Sequence, residues 1–194
     1  GELMVRLEEQ PWDPAMTIIV DTRVAAHIGS GPESTLEWVL SLGASLATEL
    51  LRDRLRVSLL GADGVIFRPI NGESTGAAAR LLATVTDVEP SGRAFLEDCL
   101  ADPDALGTAR TVVAGLGLLH SRDAAALVAA TARVADIDAL VPDARAFRLP
   151  ADVVVAHEKA CRLLTTSGWN VATFGPEATV PQGWGRLVAQ REAR

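Results

Sequence analysis

The sequence predicts an α/β domain: a doubly wound, mostly parallel sheet with helices on both faces and one antiparallel edge strand. Three observations lead there. Apolar runs alternate along the chain with longer stretches of helical period, the order expected of strand–helix units. Thr17, Ile18, Ile19 and Val20 form a short apolar, β-branched run of the kind found in a central strand buried on both faces. Ala62, Asp63 and Gly64 stand between two apolar runs and mark a hairpin, which suits a sheet edge.

Taken in order, residues 1–15 read as an N-terminal arm. Leu3, Val5 and Leu7 alternate with Glu2, Met4 and Arg6, and Pro11 and Pro14 then break the pattern. Trp12 is expected to pack the arm down. Residues 16–176 are the domain proper. Asp21 closes its first strand, and a loop over 23–33 follows, with Gly29, Gly31 and Pro32. Ser34 and Glu37 have capping-box spacing for a helix running to about residue 54. Its apolar stripe is Leu36, Val39, Leu40, Gly43, Leu46, Ala47, Leu50 and Leu51. Gly43 costs about 1 kcal/mol against Ala in mid-helix, which a close helix–sheet approach would explain.

Strands are expected at 55–60 and 65–69, with Arg68 and Pro69 fitting an edge. A loop over 71–76 leads to helices at 77–88 and 93–100. A strand at 111–119 carries Gly115 and Gly117, which permit close backbone contact. An Ala-rich helix follows to about residue 134. Then come a strand at 137–141, a helix from Pro150 to a glycine cap at Gly168, and a last strand at 169–174. Residues 177–194 read as a C-terminal tail, with loop over 175–185 and a short helix or frayed end after it. Trp184 there is a packing residue or a partner contact.

The totals exclude several classes. The 194 residues suffice for one well-buried domain, and a net charge of −7 without a basic cluster argues against nucleic acid. The two cysteines, Cys99 and Cys161, have no CxxC spacing and read as buried free thiols. No apolar run is long enough to span a bilayer. Phosphate-loop, nucleophile-elbow and dinucleotide fingerprints are missing, and His157 and Glu158 lack the second histidine of a zinc helix, since residue 161 is Cys.

A core strand ending in Asp21, a long capped helix, a hairpin edge and further strand–helix units resemble the von Willebrand factor A fold. Residues 1–6, 8–12, 17–21 and 35–47 more specifically resemble the carboxy-terminal part of the bacterial domain-of-unknown-function 58 family, whose members are often encoded beside MoxR-type AAA+ ATPases. The resemblance implies membrane-spanning segments outside this fragment and a position on the cytoplasmic side of the membrane they enter. It implies a non-enzymatic protein-interaction or adaptor role, with such an ATPase as partner.

Metal-binding members of this fold carry D-x-S-x-S after the first strand. The matching residues here are Asp21, Thr22, Arg23, Val24 and Ala25, so only the acid remains. Two oxygen ligands of a hard cation are lost, and no cofactor is expected, magnesium included. Thr75 matches the second element and Asp123 the third, so Asp21 and Asp123 would be the ligands if an ion did bind. Arg23 or Arg122 is a candidate to replace the ion by pairing with both acids. The rival reading points Arg23 into solvent. His120 with the same acids would make a mixed transition-metal set. The expected partner surface is an exposed rim over 21–34, 73–76 and 120–123, with Asp21, Thr22, Arg23, Ser30, Thr75, His120, Ser121, Arg122 and Asp123 as contacts. Two alternatives remain: a metal-dependent ligand-binding domain, and a small-molecule enzyme with a deep pocket of shifted titrating groups at the strand ends.

Overall fold

A computed structural model describes residues 15–70, 76–100, 106 and 109–193. The readings made for the arm before Ala15 (Trp12 included), for Thr75 and for the side chain of Cys99 lie outside the described residues.

Six strands form one sheet: β1 (Ala15–Val20), β2 (Arg56–Gly61), β3 (Gly64–Phe67), β4 (Thr111–Gly115), β5 (Asp136–Pro142) and β6 (Asn170–Phe174). Their spatial order is β3-β2-β1-β4-β5-β6, and every pairing is parallel except β2 with β3. The chain therefore builds outward from β1 in one direction, then restarts at β4 and builds in the other. The switch point lies between β1 and β4, and in such sheets the crevice beyond the strands' carboxyl ends is the usual site.

The period of two in β1 explains its all-apolar sequence. Ile18 and Val20 join a core with α1 (Thr35–Arg52), α2 (Ala77–Thr86) and α6 (Val180–Glu192). Ile19 points to the other core, with α3 (Glu97–Leu100), α4 (Ser121–Ala130) and α5 (Ala151–Thr166). Both faces are covered, as a parallel sheet requires. Gly43 faces the sheet in α1, where a Cβ would lie 2.5 Å from Val20 Cγ2 and 3.2 Å from Leu59 Cδ1. The helix tolerates a poor helix former there because nothing larger fits. At its start, the Ser34 hydroxyl accepts from the Glu37 amide at 3.2 Å, one half of the expected box.

Four boundaries differ by four residues or more from the expected ones. β4 stops at Gly115, and Leu116, Gly117 and Leu119 stay buried without being a strand, with Leu118 half-buried. Leu116 still donates to Leu140 O at 2.9 Å, but Leu118 turns to donate to Ala26 O at 2.6 Å. The helix expected from 93 starts only at Glu97, because residues 94–96 are held by hydrogen bonds to the strand-end site. α4 ends at Ala130 rather than 134.

The largest difference is α6, which begins at Val180 inside the expected loop. Thr179 and Gln182 form a reciprocal capping box, with Thr179 N donating to Gln182 Oε1 at 3.0 Å and Gln182 N to Thr179 Oγ1 at 3.4 Å. Gly183 reads as loop by propensity but sits mid-helix, because a Cβ would meet the Trp38 ring at 2.7 Å. Trp38 stacks on Phe174 with ring centroids 3.8 Å apart and donates from Nε1 to Ala178 O at 2.6 Å. Trp184 is half-buried against the same core. Val180–Glu192, most of the expected tail, is thus a helix packed on the domain.

Candidate functional site

Asp21 leaves β1 beside β4, and its amide donates to Gly115 O at 2.9 Å. The strand thereby fixes the carboxylate at the switch point. Arg23 follows in extended conformation and opens a short 3-10 turn over Val24–Ala26. This turns its side chain back along the chain. Its Nε donates to Asp21 Oδ1 at 2.8 Å and its Nη2 to Asp21 Oδ2 at 2.7 Å, a two-pronged pairing. Its Nη1 donates to Asp123 Oδ1 at 2.8 Å and to Ala94 O at 3.1 Å.

One guanidinium thus bridges two acids. The remaining negative charge is met by backbone amides. Arg23 N and Gly117 N donate to Asp21 at 3.1 and 3.2 Å, and Leu96 N and His120 N donate to Asp123 at 3.0 and 2.9 Å. Asp123 lies in the first turn of α4, where the helix end also favours an anion. Burial works against the charge on Arg23, but hydrogen bonds and attraction from Asp21 and Asp123 outweigh it, and its pKa lies above the ordinary arginine value.

The cluster is enclosed. Asp21 and Asp123 are 0% exposed, Arg23 2% and Thr22 3%. This corrects the expected exposed rim: the acids do not reach solvent, because the guanidinium and its backbone donors fill the crevice. The solvent-pointing reading of Arg23 is overturned with it. Arg122 does not take the bridging role either. It pairs with Glu97 and lies over the Phe95 ring at 4.4 Å, on the exposed side of α4. Ser30, His120 and Ser121 are exposed. His120 meets Asp123 through its backbone amide.

The structure adds contacts that the sequence does not reveal, and one residue, Ser91, outside the expected site. Ser91 runs beside Arg23 as an isolated parallel bridge: Ser91 N donates to Thr22 O at 2.7 Å, and Val24 N to Ser91 O at 2.9 Å. The Thr22 hydroxyl accepts from Ala62 N at 3.0 Å and ties the hairpin to the same point. His27 is held between Asp21 O, at 2.6 Å from Nε2, and Thr35 Oγ1, at 3.0 Å from Nδ1. A carbonyl can only accept, so Nε2 carries the proton. Burial pushes the pKa of His27 below the usual histidine value. The sequence signals were faint: a Pro-Ser-Gly break at 90–92, and a histidine in a glycine-rich loop.

Beside the clamp, His157 braces the next strand end. Its Nδ1 accepts from Leu119 N at 3.0 Å and its Nε2 donates to Pro142 O at 3.0 Å. The bond accepted from Leu119 requires the neutral ring, and burial lowers the pKa. Cys161, 3.5 Å from that ring, is a half-buried thiol whose pKa burial raises to about 12, so it is inert as a nucleophile.

The two histidines give a pH dependence of known sign. Their folded pKa values lie below the unfolded value of about 6.5, so the stability is present above that pH and falls as the pH drops toward the folded values. Urea midpoints measured between pH 7.5 and 5 are expected to decline, with a slope of up to about 1.4 kcal/mol per pH unit for each histidine. His157→Gln keeps one acceptor and one donor without titrating, and it is expected to flatten the decline. An unchanged slope refutes the bracing role of the neutral ring.

The fold and site define a class: a doubly wound α/β domain whose switch-point crevice is closed by a buried acid–guanidinium–acid clamp. No protein-family model matches the chain, and no curated protein matches it at a significant level. Among the described residues no helix is long and apolar enough to cross a membrane.

Proposed function

We propose that this chain is a protein-interaction domain of the von Willebrand A type in which Arg23 stands where metal-dependent members hold a divalent ion. It works as an adaptor without catalytic chemistry of its own. The observation that carries this reading is the bridging of Asp21 and Asp123, both 0% exposed, by one guanidinium. Those are the two acids that the metal version would need, and each already spends its oxygens on Arg23 and on backbone amides. The strand order, with its single antiparallel edge beside β2, suits the same fold.

The contact surface is what remains exposed of the expected rim: Ser30, His120, Ser121 and Arg122, with Val24, 58% exposed, joined to Ser91 by its backbone amide. By resemblance the partner is a MoxR-type AAA+ ATPase on the cytoplasmic side of a membrane, with the tether outside these residues. A rim of one cation, two hydroxyls, an imidazole and an exposed apolar side chain is chemically suited to a protein surface.

Titration calorimetry and thermal melts with magnesium and manganese test the reading. The unaltered chain is expected to give no saturable heat and no melting shift. Arg23→Ser removes the guanidinium, leaves two acids facing the freed space and returns one lost oxygen. That variant is expected to be stabilised by manganese, by about 2.7 kcal/mol at roughly 100 times the dissociation constant. Saturable metal binding by the unaltered chain overturns the substitution, and Arg122→Glu without effect on ATPase binding removes the rim.

A further inference from the structure

The clamp fills the crevice at the switch point, and beside it lies a groove of about 630 Å³. Thr22, between the clamp residues Asp21 and Arg23, lines one wall. The hairpin tip at Asp63 and Gly64 and the end of α2 line the others, and Val65, Ile66 and Val88 supply apolar surface. The segment 89–91 joins the groove to the rim, since Glu89 lines it and Ser91 O accepts from Val24 N at 2.9 Å.

The charges around the groove are of two kinds. Arg80 is engaged within the chain: its Nη2 donates to Arg68 O at 3.0 Å, and the guanidinium lies over the Phe67 ring at 4.4 Å. Asp63 is engaged as well, paired with Arg93 at 2.7 Å and hydrogen-bonded to Ser91. Asp87 and Glu89 differ. Both are exposed, and neither carboxylate has an ion-pair or hydrogen-bond partner among the described residues. The groove thus holds two unspent negative charges, while its one lining cation is spent.

The fold does not need these acids. Asp87 is the C-cap of α2, whose last turn holds no basic residue. The carboxyl end of a helix is already its negative end and favours a cation. Carboxylates placed there work against the helix. Charge that opposes its own chain and lines a concave surface points to an occupant of opposite sign. A buried donor borders the same space. Thr22 is 3% exposed, and its hydroxyl oxygen accepts from Ala62 N at 3.0 Å, but no described residue accepts its hydroxyl proton. A carbonyl of the occupant would complete it.

We infer that this groove receives a basic, partly apolar segment of a partner protein. An arginine or lysine lies against Asp87 and Glu89, an apolar neighbour packs on Val65 and Val88, and a backbone carbonyl meets Thr22. The inference rests on the adaptor reading for the partner's being a protein, and it places the anchor beside the rim.

Amide chemical shifts test it, followed with a capped tetrapeptide that alternates leucine with arginine and with its glutamate counterpart. The arginine peptide is expected to shift Val65, Thr84 and Val88 saturably, with a dissociation constant on the order of 1 mM that weakens as salt is added. Asp87→Asn together with Glu89→Gln is expected to weaken binding about tenfold while the melting temperature holds or rises, which a purely structural role for the acids does not give. The same double variant is expected to weaken binding of the MoxR-type ATPase by a similar factor. No saturable shift, an equal response to the glutamate peptide, or shifts confined to other surfaces overturns the inference. So does ATPase binding that the double variant leaves unchanged. An ATPase that ignores the unaltered chain, while the arginine peptide still fills the groove, overturns the adaptor's partner and supports the groove.

Discussion

Replacing Arg23 with methionine is expected to cost about 3–5 kcal/mol of stability, the range for a buried ion network that loses one partner. Domains of this kind are stable by about 5–15 kcal/mol, so the loss is a large share of the total. The cause is what remains behind. Asp21 and Asp123 are 0% exposed and would face each other's negative charge with no guanidinium between them. The backbone donors Gly117 N and Leu96 N still reach them, but two amides per carboxylate do not replace a guanidinium.

Two companions separate this account from simple loss of packing. Arg23→Lys keeps the charge but not the fork. One ammonium cannot hold both Asp21 oxygens and reach Asp123 as well, so most of the loss is expected to persist. Changing Asp21 and Asp123 to asparagine in the Arg23→Met background removes the uncompensated charges and is expected to recover more than half of it. Urea denaturation reads all of these as midpoint shifts at constant slope. A cost below about 1 kcal/mol for Arg23→Met, or no recovery in the triple variant, refutes the idea that the clamp is a closed electrostatic unit.

Arg23 also shows how far the sequence could be read. The strand and helix order was legible because it rests on periodicity, and periodicity is local: β1, the α1 stripe, the hairpin and α5 all lie close to where their residues predict them. Asp21 at the strand end and Asp123 at the next crossover were legible by the same route, once the resemblance indicated which acids to consider. Their burial was not. Whether an arginine two residues after an acid folds back or points outward depends on what closes over it. Here that is Ala94, Leu96 and Gly117, which are remote in sequence and carry no distinguishing side chain. All three contacts come from segments where an apolar run or a helical pattern suggests another element, since backbone groups spent on the clamp are withheld from strand or helix. The α6 boundary failed for a different reason. Glycine at 183 and 185 reads as loop by propensity, while the Trp38 ring needs the first of them to be small.

Gly117→Ala is expected to cost about 2–3 kcal/mol, at the upper end for adding one methyl group to a packed interior. The added Cβ would stand 2.4 Å from Ala26 O, 2.8 Å from Ala26 Cβ and 2.9 Å from Ala26 C. Two of these are backbone atoms and have no rotamer to escape into. Relief requires moving the 3-10 turn at Val24–Ala26, which carries Arg23 at its head and His27 at its end. The same shift stretches the 2.6 Å bond from Leu118 N to Ala26 O and draws Gly117 N away from Asp21. One methyl group thus loosens the clamp from behind. Gly185→Ala is the matched control, since no atom lies within 4 Å of the added Cβ and the position is inside α6, where alanine is favoured by about 1 kcal/mol. The two substitutions are therefore expected to move the urea midpoint in opposite directions. Amide exchange supplies the local readout: the Leu118 N–H is expected to lose protection in Gly117→Ala and to keep it in Gly185→Ala. If both variants shift stability alike, or Leu118 stays protected, the close approach of Gly117 to the 3-10 turn is not what seats the clamp.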